Sequence, residues 1–175
     1  GDERVVTAIQ NLQQVMATAA SDSPDALTAD IEAAISAVKQ AQVDAAKSRA
    51  EAADLATAAL QQTGPVTNEA DVATARTNLQ TLIDDPTSTE QDLKNAMTEL
   101  ATAVTAAKTD RTTTNNEANK AITTATNGDQ SAAPAVQTAI QNLKDVMATA
   151  ASDSPDALTA DIATATAALQ QAVAD

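Results

Sequence analysis

The chain has 175 residues, a formal net charge of -14 and no Cys, His, Phe, Tyr or Trp. Without Cys or His there is no disulfide, thiolate or ordinary zinc site, cysteine nucleophile, Ser-His-Asp triad or histidine proton shuttle, and a surface this acidic repels nucleic acid and anionic lipid. A core without aromatic residues is thin, and at about 25 cal/mol per Å² of buried apolar area it favours slim layers of two or three helices over a barrel or sandwich.

Five Pro and three Gly are confined to a few places, so the intervening segments are long and read as helices. The first predicted helix runs from about Arg4 to Ala20, with Val5, Ile9, Leu12, Met16 and Ala19 on one apolar seam. Ser23, Pro24 and Asp25 then give three agreeing start signals for the next helix, and Ser154, Pro155 and Asp156 repeat them later. Asp22, Asp25, Asp153 and Asp156 are read as charges favoured by helix N-termini.

The second helix is predicted to continue from there along Leu27, Ile31, Ala34, Val38, Ala41, Ala45, Ser48, Ala52, Leu55 and Ala59, until Thr63, Gly64 and Pro65 stop it. Gly64 is expected in a left-handed conformation. A bend near Val38 to Gln42 would regroup the helices into bundles at 5–62 and 66–127. A short helix follows from about Asn68 to Ile83. A second long one starts around Thr87 to Thr89, where Thr87 and Glu90 have capping-box spacing, and runs through Leu93, Met97, Leu100 and Val104 toward Thr126. Five poor helix formers, Thr112 to Asn116, mark its weak point, and Thr114 with Glu117 offers a cap for a restart. The last pair is placed at about Pro134 to Ala151 and Asp156 to Val173.

The chain repeats itself. Thr7–Ile31 returns as Thr138–Ile162, an offset of 131 residues, changed only where Gln13 and Gln14 become Lys144 and Asp145. A fainter copy lies midway. Asn78, Leu79, Leu82 and Ile83 match Asn142, Leu143, Val146 and Met147 at an offset of 64, and Leu93, Met97, Leu100 and Val104 match Leu158, Ile162, Ala165 and Leu169 at 65. Short and long helices alternate, and a long helix can lend its halves to successive bundles. The expected architecture is therefore all-α: tandem three-helix bundles in an elongated spectrin-like rod with long helices shared between neighbours. A partial bundle at 1–40, a helical hairpin, would precede complete bundles at 41–104 and 105–175.

Residues 72–104, VATARTNLQTLIDDPTSTEQDLKNAMTELATAV, resemble the second and third helices of the FIVAR repeat of Gram-positive surface proteins. The pairs at Thr7–Val38 and Thr138–Val173 extend the resemblance over most of the chain. Arg76 departs from it, standing where Ile9 and Ile140 stand in the other copies, and is expected to snorkel from the seam edge. The resemblance implies an extracellular, cell-wall-anchored adhesin or matrix-binding protein in which such repeats form a stalk.

No catalytic, cofactor-binding or metal-ligating residue is expected. Asp84 and Asp85, and Asn127, Gly128 and Asp129, lack the alternating oxygen ligands and distal Glu of a calcium loop and are read as caps and turns. Met16, Met97 and Met147 are read as core filling. Thr57, Thr74, Thr102, Thr105, Thr164 and Thr166 are read as a low-charge outer face. An ice-binding helix is opposed by the absence of a strict eleven-residue Thr interval. No segment approaches the apolar length that spans a bilayer, and Gly1 to Arg4 form no signal peptide, so the chain is expected to be a soluble excerpt, a monomeric rod. Two functions follow as expectations: a non-enzymatic spacer holding a binding domain off a cell wall, or a helical module recognising a host serum or extracellular matrix protein.

Overall fold

The structure, a computed structural model, describes residues 1–20, 28–152 and 157–175. Among these residues it is all-helical: α1 (Glu3–Ala20), α2 (Thr28–Leu60), a 3-10 turn at Gly64–Val66, α3 (Ala70–Asp84), α4 (Glu90–Asn127), α5 (Pro134–Ala151) and α6 (Thr159–Ala174). No strand occurs among them. The capping positions 21–25 and 153–156, with Asp22, Asp25, Asp153 and Asp156, lie outside the described residues.

Both long helices are continuous. α2 has 33 residues and passes through Val38–Gln42 without a break. α4 has 38 residues and passes through Thr112–Asn116, so Thr114 and Glu117 form no new start. Most threonines of α4 donate their hydroxyl to the carbonyl four residues earlier, as Thr112 does to Lys108 and Thr113 to Thr109. Such back-bonding accommodates a threonine hydroxyl in a helix without adding stability, so the continuity of α4 rests on its packing. α2 ends at Leu60, ahead of the expected stop, but Gly64 does take a positive φ of 63°, a conformation that glycine adopts without steric cost.

The chain divides into two compact units, and the divisions fall inside α3 and α4: one comprises Gly1–Leu60 with Asn78–Met97, the other Gln61–Thr77 with Thr98–Asp175. In the first, α2 supplies buried Ala52, Ala56 and Leu60, α3 supplies Leu79, and α4 supplies Leu93 and Ala96. The seam of α2 holds its expected phase to Ala52 and then steps by four to Ala56 and Leu60, leaving Leu55 63% exposed. On α1 the half-buried apolar residues are Val5, Ala8, Leu12, Val15 and Ala19, while Ile9 and Met16 of the expected seam point outward.

In the second unit one core cluster draws on three helices: Ala118, Ala121 and Ala125 of α4, Val136, Ile140, Leu143 and Ala150 of α5, and Ile162, Ala165 and Leu169 of α6, joined by Ala157. The buried positions also correct the internal alignment. Leu93, Ala96 and Leu100 are buried as Ile162, Ala165 and Leu169 are, an offset of 69 rather than 65. Leu143 and Ile162 stand five positions further apart than Leu79 and Leu93 do, and three of the five come from α5, which runs further past its leucine than α3 does.

Candidate functional site

Among the described residues of the chain's second unit the one buried charged residue is Arg111, which sequence reading did not single out. α4 carries it at a seam position, in phase with Ala107, Ala118 and Ala121, so packing takes the guanidinium out of solvent and leaves it 7% exposed. An arginine so placed needs partners for its donors, and it finds four. Nη2 donates to Glu69 Oε1 at 2.6 Å, Nη1 to the Ala150 carbonyl at 2.6 Å and to the Pro65 carbonyl, and Nε to Thr159 Oγ1 at 3.2 Å.

Glu69 completes the cluster. Its Oε1 also accepts from the Thr159 N–H at 2.9 Å and the Thr159 hydroxyl at 2.6 Å, which places a carboxylate at the N-terminus of α6 where the helix dipole favours it. Burial pushes the Glu69 carboxyl up, but the two Thr159 donors and the Arg111 guanidinium outweigh it and hold the group below its ordinary value. A carboxylate kept ionised in this way is a poor proton donor near neutrality. The arrangement fastens the last turn of α5 and the first of α6 to α4; it offers no group poised for chemistry.

The first unit carries a comparable clamp. Arg49 of α2 donates through Nε to the Ser88 carbonyl at 3.0 Å and through Nη2 to the carbonyls of Ile83 at 3.1 Å and Asp85 at 2.6 Å, closing the turn between α3 and α4. Ser88 Oγ, buried in that turn, lies 2.6 Å from the Leu82 carbonyl and 2.9 Å from that of Asp85. Arg4 grips Asp2 through two bonds, at 3.0 and 2.7 Å, and reaches Ser48 at 3.0 Å and Glu90 at 3.3 Å. Its guanidinium is the main reason that the Asp2 carboxyl falls to about 2.

The cap of α4 sits two residues beyond the predicted Thr87 and Glu90. The Thr89 N–H and hydroxyl donate to Asp92 Oδ2 at 2.9 and 2.7 Å, and the Asp92 N–H returns to Thr89 Oγ1 at 3.2 Å. Thr87 instead directs its N–H and hydroxyl to Asp85 Oδ1, at 2.8 and 2.7 Å. Thr89→Ala is therefore expected to cost about 1 kcal/mol in urea unfolding, while Thr87→Ala costs about half of that or less.

The residues noted in the sequence stay dispersed. Asp84 accepts from Gln80 on its own helix at 3.0 Å, Asp85 is occupied by Thr87, and Asp129 is an exposed turn residue. Among the described residues no three acidic side chains gather where they could hold a metal ion. Met97 and Met147 are half-buried, whereas Met16 is 53% exposed. Thr57, Thr74, Thr102, Thr105 and Thr164 lie on outer faces as expected; Thr166 does not, being 7% exposed and bonded to the Ile162 carbonyl at 2.7 Å. Arg76 is half-buried, and its Nε is enclosed without a hydrogen-bond partner, so this atom does not reach water as snorkelling requires. An open groove between α4 and α6 is lined chiefly by small and apolar residues, among them Ala121, Ala125, Leu169 and Val173, together with Glu117 and Lys120.

No family model, curated protein or solved structure matches the chain. Among the described residues no helix is long and apolar enough to cross a membrane.

Proposed function

We propose that the chain is a non-enzymatic spacer: a run of tandem three-helix bundles in a spectrin-like rod that holds a binding domain away from a Gram-positive cell wall. The observation that carries this reading is the continuity of α2 and α4, 33 and 38 residues long, in a chain whose sequence repeats at an offset of 131. A 38-residue helix extends about 57 Å, well beyond what one slim bundle needs, so it can serve two. Residues 1–40, 41–104 and 105–175 are the successive bundles on this reading, the first of them partial. The resemblance of 72–104 to the FIVAR repeat supplies the cell-surface setting, and Arg49, Ser88, Glu69 and Arg111 are committed to turns and helix ends.

Small-angle scattering tests the proposal. A compact globule of 175 residues has a radius of gyration of about 16 Å; a rod gives a value well above that, and a compact particle overturns the reading. A second reading, a module that recognises a host serum or matrix protein, is favoured by Val43 and Leu55 of α2, which are 61% and 63% exposed. A pull-down from serum separates the two, since a pure spacer retains nothing above background.

A further inference from the structure

The chain contains its own control experiment. Thr7–Ile31 and Thr138–Ile162 differ at only two positions, so α1 with the start of α2 carries nearly the same side chains as α5 with the start of α6. In the second copy Val136, Leu143 and Ile162 are fully buried, Ala150 is 1% exposed and Ile140 is 7% exposed. In the first, α1 has no buried residue, Ile9 is 39% exposed, and Ile31 is only half-buried.

Side-chain chemistry cannot cause this difference, because it is shared. What distinguishes the second copy is a third helix: the C-terminal half of α4 inserts Ala118, Ala121 and Ala125 into one core with α5 and α6. On the first copy the matching stripe stays open, with Ile9, Met16 and Ile35 each at least 39% exposed. Val6, also exposed, is not part of it, since its counterpart Gln137 is exposed as well.

We infer that the α1/α2 hairpin is a docking face for a helix of this chain's own repeat type, with the pattern of residues 105–127. Its seam is alanine at the spacing of 118, 121 and 125, with an arginine seven residues before the first. Small side chains suit the face because the hairpin's own Ile, Leu and Met fill the space between backbones. The arginine also has an address. Arg111 reaches the Ala150 carbonyl and the Thr159 hydroxyl, whose counterparts on the hairpin are Ala19 and Thr28. The inference rests on the tandem-bundle reading, in which residues 1–40 are a partial bundle, and adds to it the contrast in burial between the duplicated copies.

The offset of 131 makes Ser131 the counterpart of a residue directly ahead of Gly1, so residues 105–131 can be joined to the N-terminus of the full chain without a linker. Amide exchange at Ile9, Leu12 and Ile31 is expected to slow by about tenfold or more, toward the rates at Ile140, Leu143 and Ile162. The same extension carrying Ala118→Glu and Ala121→Glu in the appended segment is expected to leave those rates as in the parent chain. Unchanged exchange with the native extension, or equal slowing by both, overturns the inference. So does concentration-dependent protection of Ile9 and Ile31 in the unextended chain, which would make a second copy the occupant.

Discussion

Arg111→Met is expected to lower stability by about 3–5 kcal/mol, because it strands the ionised Glu69 carboxylate in a site sealed by the groups that held the arginine. The Arg111 side chain is 8% exposed and that of Glu69 17%, so water restores only part of what is lost. The carbonyls of Ala150 and Pro65 lose a donor at the same time. Adding Glu69→Gln removes the charge while its amide oxygen can still accept from Thr159, so the double variant is expected to be more stable than Arg111→Met alone. Urea unfolding of the four chains measures this coupling. Additive losses would mean that the pair is not the unit of stabilisation.

The same pair sets a pH dependence of definite sign. The Glu69 carboxyl lies below its ordinary value of about 4.3 in the folded chain, so the unfolded state binds its proton first as pH falls. The stabilisation is complete above the ordinary glutamate range, declines as pH drops toward the folded value, and is gone below it. In Glu69→Gln that part of the acid-side slope is expected to vanish.

The helices were legible because their signals are local. Punctuation at Pro65, Pro86 and Gly128 bounds α3 and α4 to within a few residues, and α5 begins at Pro134 as the sequence places it. What depends on a neighbour was less legible. Val5, Ala8, Leu12, Val15 and Ala19 fit the same three-four spacing as the set containing Ile9 and Met16, so periodicity alone cannot choose between them. Position of the partner chooses: α1 lies against α2 along the first set, whereas α5 has two neighbours and a wider covered stripe, which takes in Ile140 and Met147 as well. Arg111 left a signal that could have been used, a permanent cation in phase with an alanine seam. Its partners could not be named, since Glu69 and Thr159 lie 42 and 48 residues away in segments that periodicity does not relate to it.

Leu143 and Leu12 occupy the same place in the duplicated sequence, and the two alanine substitutions are expected to differ because their surroundings do. Leu143 is fully buried in a cluster with Ala118, Ala121, Ala125, Ile162 and Leu169. Its alanine neighbours have no rotamers with which to fill a void, so Leu143→Ala leaves a cavity and is expected to cost toward the upper end of about 2–5 kcal/mol. Leu12 is half-buried on a helix with no buried residue; the space left by Leu12→Ala opens to water, and the cost is the lost transfer term alone, about half of the Leu143 value or less. Residue-resolved amide exchange under mild denaturant reads each unit separately and checks the ratio. Equal costs would show that Leu12 already sits in a closed core, and the asymmetry between the two copies would lose its physical basis.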